Sequence, residues 1–151
     1  MTIKKKISIK NVSFGKNVTI IEPVNLYNCK IGNNCFIGPF VEIQEGSIIG
    51  DNTRIQSHSF ICSKVKIGKN CFIGHGVKFV NDKFLKNKLT KDKKKLLNTL
   101  VGNNVLIGSN STILPVAIKN NIVIGAGSVV TKDCKKNKGV YMGNPAKQKK
   151  N

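Results

Sequence analysis

From Ile31 to Phe79 a large apolar residue returns at every sixth position: Ile31, Ile37, Ile43, Ile49, Ile55, Ile61, Ile67, Ile73 and Phe79. Four places after each of the first eight, the residue is small or β-branched: Cys35, Val41, Ser47, Thr53, Ser59, Val65, Cys71 and Val77. Glycine follows the isoleucine directly at Gly32, Gly38, Gly50, Gly68 and Gly74. A period of six matches neither an amphipathic helix nor a simple alternating strand. It matches a solenoid, in which each short strand stacks on its copy one coil away. The pattern predicts that each isoleucine and the residue four places on point inward, with the second and third residues after the isoleucine at corners. Glycine beside the isoleucine is expected where the corner backbone leaves a side chain no room.

Outside that run the period continues with interruptions. Val12, Val18 and Val24 keep the step, and the seven-residue gap to Ile31 predicts a bulge at a corner near residues 28–30. Residues 1–11 are expected to form an opening strand that covers the first coil. Residues 80–100 break the period altogether, with seven lysines and two aspartates around Phe84, Leu85, Leu89, Leu96 and Leu97. A structureless stretch of that length reads as an excursion from a corner, either a functional loop or a solvated flap. The period returns at Val101, Ile107 and Ile113, drops one residue, and runs on through Ile118, Ile124 and Val130. Val105, Ser111, Ala117, Ile122, Ser128 and Cys134 then hold the fourth place. Residues 139–151 form a tail expected to fray after Ala146. The expected fold is one all-β domain over residues 1–151, a parallel β-helix with one long external loop at about residues 80–100.

Composition changes this picture little. The chain of 151 residues can bury a continuous core, and with seven Phe, two Tyr and no Trp that core must be aliphatic. Cys29, Cys35, Cys71 and Cys134 fall in the small inward slot and read as fillers rather than metal ligands or nucleophiles. Cys62 takes a place where glycine is usual. The lysine-bearing N-terminus lacks the apolar run of a signal peptide, and no stretch has the roughly 20 apolar residues of a membrane span. A cytoplasmic protein with reduced thiols and no membrane partner is the expectation. Twenty-six basic residues against seven acidic ones invite a nucleic-acid reading. The lysines, however, lie at turns and in the excursion with little aromatic interleaving, so a solvated surface attracting anionic ligands, and no nucleic acid, is expected.

Six words of the sequence carry a resemblance: IGPFVEIQ (37–44), RIQSHSFIC (54–62), FIGHGVKFVND (72–82), IGSNSTILP (107–115), IGAGSVVTKD (124–133) and GNPAK (143–147). They resemble the hexapeptide-repeat acyltransferases, and more closely the sugar-nucleotide N-acetyltransferases that act on dTDP-3-amino-3,6-dideoxyhexoses. The resemblance implies a left-handed parallel β-helix with three hexapeptides per triangular coil. It implies about six coils, with the excursion leaving the third face of the fourth. It also implies acetyl-CoA as co-substrate, no metal, and a nucleotide-sugar acceptor used in surface-glycan or lipopolysaccharide synthesis. The implied assembly is a homotrimer with its CoA sites between subunits. The chain departs from the family in lacking a Pro-Arg pair after Asn81-Asp82 and in having Val116 where glycine is common.

Moving an acetyl group from a thioester to an amine needs a neutral amine, aligned reactants and a stabilised carbonyl oxygen. The chain has two histidines, His58 and His75, set three places after Ile55 and two after Ile73. Those isoleucines are eighteen residues, one coil, apart, so the spacing puts both histidines at one corner. His75, with Gly74 and Gly76 leaving room for a ligand, is the candidate base or orienting group. The alternative is that it only hydrogen-bonds the sugar while the departing thiolate takes the proton. Asn81 and Asp82 are candidates for the sugar or the ammonium proton, and His58 for substrate contact or a structural corner. Glu42 and Gln56 are candidates for sugar or nucleotide contact, or else a solvated face. For CoA the resemblance points to backbone groups at Gly108, Ser109, Ala126 and Gly127, with Lys132 and Lys147 toward the phosphates. Three readings compete with this one. A zinc-dependent carbonic anhydrase shares the fold but needs three histidines. An O-acetyltransferase would have a histidine activate a hydroxyl, and a non-catalytic β-helix would serve as a scaffold or polyanion binder.

Overall fold

The computed structural model describes residue 3 and residues 8–149. Short strands, nearly all of two or three residues, wind into three sheets that form the faces of a triangular prism. The first face begins with Ile9–Lys10, the second with Ser13–Phe14 and the third with Thr19–Ile20, and later coils add one strand to each in turn until the last, which adds to the second face only a bridge from Cys134 to Ile118. On the second face Phe14, Ile31, Ile49, Ile67, Val101 and Ile118 stand in line. On the third, Ile20, Ile37, Ile55, Ile73, Ile107, Ile124 and Tyr141 do so. From Ile31 onward these side chains are buried and fill the axis of the prism. Removing one, as in Ile55→Ala, is expected to cost about 2–5 kcal/mol, because stacked layers on both sides hold the cavity open.

The first face holds seven strands, so there are about seven turns rather than six. Residues ahead of Val12 already supply a strand, and Gly139–Met142 supplies another at the far end. The expected frame of the first coils is also two positions off. Val12, Val18 and Val24 occupy the small slot, and Phe14, Ile20 and Leu26 are the counterparts of the isoleucines. The interruption is therefore a short five-residue step from Leu26 to Ile31, not a seven-residue bulge. The step from Ile113 to Ile118 is short in the same way. There Val116 is the buried residue in the small slot, and Ala117, expected inside, is the outward neighbour of Leu100.

Coil-to-coil distance explains the glycine after each isoleucine. A Cβ on Gly74 would stand 2.7 Å from the Ser109 nitrogen, and one on Gly38 2.8 Å from that of Ser57. The left-handed backbone falls two places later, at Asn34, Asn52, Asn70, Asn104 and Asn121 along the edge between the second and third faces. Asparagine tolerates that conformation, and its amides form a ladder from Asn17 to Asn121 with bonds of 3.0–3.2 Å. In the small slot, hydroxyls and thiols donate to the next coil's carbonyls. Ser59 Oγ reaches Gly74 O at 2.8 Å, Thr53 Oγ1 reaches Gly68 O at 2.9 Å and Cys71 Sγ reaches Gly102 O at 3.1 Å. A polar interior paired in this way is tolerated; the Thr99 hydroxyl, in the same slot, is buried without a partner among the described residues. All five cysteines are free and buried, and burial pushes the thiols of Cys29 and Cys134 up to about 11 and that of Cys62 to about 12.

The excursion leaves the first face after Lys78–Phe79 and returns on the second as Thr99–Val101. It thus opens the corner after Phe79, as expected; that strand is the third of the fourth coil when the count starts from Ser13–Phe14 and falls in the fifth coil once Ile9–Lys10 opens the count. The strand has already resumed at Thr99, inside the expected loop window. At the end of the chain, Gly139–Met142 pairs with Ile122–Ile124 and Lys147–Gln148 folds back antiparallel on it. Ala146 N donates to Val129 O and Lys149 N to Val140 O, both at 2.8 Å. The described tail is therefore bonded, not frayed, and it covers an open sheet edge. Ile9–Lys10 pairs with Leu26–Tyr27 as an opening strand should; most of residues 1–7, and residues 150–151, lie outside the described residues.

Candidate active site

Two edges of the prism flank the first face, and the site candidates divide between them. The edge between the third and first faces carries the turns at Pro39–Phe40, Ser57–His58, His75–Gly76, Ser109–Asn110 and Ala126–Gly127. Backbone bonds tie each turn to the next. His58 N donates to Pro39 O at 3.1 Å, Gly76 N to Ser57 O at 2.9 Å, Asn110 N to His75 O at 2.8 Å and Gly127 N to Ser109 O at 2.8 Å. The two histidines are thus neighbours on one corner, about 5 Å apart along the axis at the usual strand spacing. Ser109 lies one coil below His75 and Ala126 two. Both imidazoles are exposed. His58 stacks on Phe40 with ring centroids 4.8 Å apart and planes 14° from parallel.

The flanking glycines of His75 do not serve the purpose expected of them. The space over Gly74 is taken by Ser109 of the next coil, and the space over Gly76, whose φ is +68°, by the Asn110 amide. What the edge offers a ligand is backbone. Along the asparagine edge the corner N–H groups are closed by side chains, as Asn33 N is by Asp51 Oδ1 at 2.9 Å and Lys69 N by Asn103 Oδ1 at 2.8 Å. Along the histidine edge the corresponding residues are Ser57, His75, Ser109 and Ala126. Their N–H groups meet no protein acceptor among the described residues. Gln56 sits on this edge, where its N–H donates to Ile73 O at 2.9 Å. Lys147, opposite Met142, lies close to the last turn of the same edge.

The other edge, between the first and second faces, is the one the excursion opens. Asn81 Nδ2 donates to Ser63 Oγ at 2.8 Å, and Asn81 O accepts from Leu97 N at 2.9 Å. Both Asp82 oxygens are engaged, Oδ1 by Phe84 N at 2.9 Å and Thr90 Oγ1 at 3.0 Å, Oδ2 by Thr90 N at 2.7 Å. Those bonds, Thr90 N first, hold its carboxyl below the usual aspartate range. Glu42, on the first face, accepts from Gln44 Nε2 at 2.7 Å, and Gln44 Oε1 takes the Ser63 N–H at 3.3 Å. Burial, then the nearby Glu42 and Glu45 carboxylates, raise the Tyr27 phenol. A hollow of about 350 Å³ lies here, lined among others by Tyr27, Gln44, Asn81, Asp82, Thr90 and Lys93. Lys132 follows the first-face strand Val129–Val130 below this edge, away from the histidines.

The width of the first face separates His75 from Asn81 and Asp82, so one chain does not bring the three together. A wider, open hollow of about 1110 Å³ on the third face, against the closing strand at Val140 and Lys149, holds none of the expected site residues. The expectations also missed three residues of the histidine edge. Lys78 Nζ donates to His58 O and, at 3.2 Å, to Gly76 O, which places an ammonium between the two turns. Phe40 supports His58, and Asn110 lies against Gly76. An aromatic at a left-handed corner position held mostly by asparagine or glycine was the available signal for Phe40. Lys78 gave none. Among the described residues no group of three His, Cys, Asp or Glu side chains could hold a metal.

A profile described as "Bacterial transferase hexapeptide (six repeats)" matches residues 28–63. A second, "Hexapeptide repeat of succinyl-transferase", matches residues 64–77 and 99–132 and so steps over the excursion. The chain belongs to the hexapeptide-repeat transferases. No curated protein sequence matches it. Among solved structures it is similar to a hexapeptide transferase family protein from Anaplasma phagocytophilum, with 22% identity, TM-score 0.75 and coverage of 92% of this chain and 78% of that one. It is similar also to a variant of AntD, an N-acyltransferase from Bacillus cereus in complex with dTDP and coenzyme A, with 23% identity, TM-score 0.74 and coverage of 91% and 82%. A third is the acetyltransferase domain of PglB from Neisseria gonorrhoeae with acetyl coenzyme A, with 18% identity, TM-score 0.66 and coverage of 91% and 57%. At these identities the structures establish the fold, and the hexapeptide-repeat transferase keeps its substrate to be argued from the site. No helix among its described residues is long and apolar enough to cross a membrane.

Proposed function

We propose that this hexapeptide-repeat transferase is an acetyl-CoA-dependent N-acetyltransferase acting on a nucleotide-linked amino sugar of the dTDP-3-amino-3,6-dideoxyhexose kind. The observation that carries the reading is the histidine edge. An exposed imidazole stands at the head of a column of turns whose N–H groups are open, at Ser109 and Ala126, to an amide-bearing ligand lying along the axis. The pantetheine arm of acetyl-CoA is such a ligand. AntD, of the same fold, was solved with dTDP and coenzyme A, which supports a nucleotide sugar as the acceptor.

In the reaction the acceptor amine attacks the thioester carbonyl, the C–S bond breaks, and the amine's proton must leave. His75 takes that proton or holds the amine while the thiolate takes it. An open N–H on the same edge stabilises the carbonyl oxygen as charge builds. Asn81, Asp82 and the hollow beside them lie across the first face, so they contribute only if the loop edge of one copy meets the histidine edge of another. A homotrimer with its sites between subunits meets that requirement. The exposed, in-register Leu106, Val123 and Val140 of the third face, adjoining the histidine edge, offer it an apolar contact.

The test is release of CoA thiol from acetyl-CoA with a panel of nucleotide-linked amino and hydroxy sugars. Release with the amino sugars alone is expected. Release with the hydroxy sugars alone would make the protein an O-acetyltransferase, and release with neither would make it a scaffold.

A further inference from the structure

The turn that presents His75 has little of its own to hold it. Glycine stands on both sides of the imidazole, and Gly76 has φ of +68°, so the backbone there has more freedom than one flanked by side chains. The bond that would close the turn, from Val77 N to Gly74 O, is long at 3.5 Å. One coil below, Ser111 Oγ closes the corresponding turn by donating to Gly108 O at 2.8 Å. Val77 occupies that slot in the His75 turn and has no hydroxyl to donate. The bonds from Gly76 N to Ser57 O and from Asn110 N to His75 O tie the turn along the axis. They leave the Gly76 carbonyl to be held from elsewhere.

Lys78 takes that carbonyl. Its ammonium donates to Gly76 O at 3.2 Å and also to His58 O, so it joins the two histidine turns from one point on the first face. The residues in register with Lys78 along that face are Asn25, Glu42, Phe60, Thr112 and Val129, none of them a cation. An ammonium donating to two carbonyls makes charge-assisted bonds, stronger than neutral ones. Donor and acceptors belong to one chain, so the clamp forms whatever another copy places against this edge. We propose that Lys78 is a positioning residue for the acyl transfer. By pinning Gly76 O to His58 O it fixes the turn that aims the His75 imidazole at the acceptor amine, without itself touching the reacting atoms. The task given to His75 rests on the acyl-transfer reading; the clamp rests on geometry alone. Misplacing a reacting group by about 1 Å can cost about 10²-fold in rate. The clamp therefore acts on turnover and not on acetyl-CoA binding, whose N–H donors at Ser109 and Ala126 it does not touch.

The experiment compares Lys78→Met with Lys66→Met, which removes another exposed charge, on the second face. Hydrogen exchange is read first, on the full chain without substrate. Exchange at the Gly76 N–H is expected to rise at least about threefold in Lys78→Met. Exchange at the Gly127 N–H, two coils below on the same edge, should not change. In the thiol-release assay Lys78→Met is expected to lower kcat about tenfold while KM for acetyl-CoA stays within about twofold. Lys66→Met should alter neither. Added to His75→Ala, Lys78→Met should lower turnover no further, because the two residues act as one unit. A lysine that only supports the fold would lower it again by the same factor. Unchanged exchange at Gly76 would overturn the clamp. An equal loss from Lys66→Met would assign the effect to net charge, and a repeated loss in the His75→Ala background would assign it to folding; either would overturn the positioning role. Absence of thiol release by the unaltered protein with every acceptor would overturn the acyl-transfer reading instead, and the exchange measurement alone would then decide the clamp.

Discussion

The two edges beside the first face are built from one repeat and treated differently. At the histidine edge every coil turns in the same few residues, and each turn is bonded to its neighbours. His75 is therefore exposed at no expense to the core and held in place by His58's turn above and Ser109's below. At the loop edge the fifth coil opens for nineteen residues between Phe79 and Thr99, yet Thr99 and Val101 resume the stack in register. Corners contribute little to the apolar axis, so an insertion there is absorbed provided that the strands before and after it align. The contrast teaches that this fold holds side chains in a fixed stack where every coil turns in the same way, and frees them where one turn has been extended.

Replacing His75 by Ala should give the largest effect. Turnover in the thiol-release assay is expected to fall by about 10²-fold or more if the imidazole is the base, with the thermal midpoint unchanged. A loss below about tenfold in a folded variant would move His75 to a positioning role and remove the chemical half of the comparison.

Glycines at the two edges give the next test. A Cβ on Gly108 would run into the backbone of Ala126, so Gly108→Ala should lower stability by about 2 kcal/mol in urea unfolding. Gly46, at the loop edge, has φ +75° and nothing within 4 Å of a Cβ, and Gly46→Asn should change stability by less than about 0.5 kcal/mol. Equal costs at both positions would contradict the idea that the place after the isoleucine is closed by the next coil while the corner of the turn is open, as at Gly46 and Gly127.

Acid should separate the edges by degree. The Asp82 carboxyl is lowered by its bonds to Thr90 N and Phe84 N, so the clasp is fully present above the ordinary aspartate value of about 3.9. It is lost as pH falls through the depressed one. Limited proteolysis with an acid protease should show cleavage within residues 83–91 rising several-fold over that fall, with no cleavage at the histidine edge. Asp82→Asn should show the raised cleavage already at neutral pH. The smallest effect is expected at Glu45–Lys93, an exposed pair. Glu45→Gln should alter loop cleavage by no more than about twofold, and the difference should vanish at about 1 M salt.

Much of this was legible in the chain itself, because a period of six has few physical realisations. The isoleucine columns, the inward cysteines and the shared corner of His58 and His75 all follow from counting. The count failed where the repeat was degenerate. Val12, Val18 and Val24 satisfy the apolar slot and the small slot equally well, and only pairing with the next coil chose between them. Gly74 read as space for a ligand because sequence shows a missing side chain without showing what fills the gap. Asn81 and Asp82 lie within seven residues of His75 along the chain, yet one strand carries them to the opposite edge, and closeness in sequence passed for closeness in space.

The sequence by itself determined that the chain coils, which side chains face the axis and where the coil is interrupted, since these depend on spacing and side-chain volume alone. Only the tertiary structure decided which corner N–H groups remain open, which carboxylate is consumed in holding a loop, and that Phe84, Leu85 and Leu89 are left in solvent. Each of those depends on what the neighbouring coil puts opposite, and a linear order does not contain it.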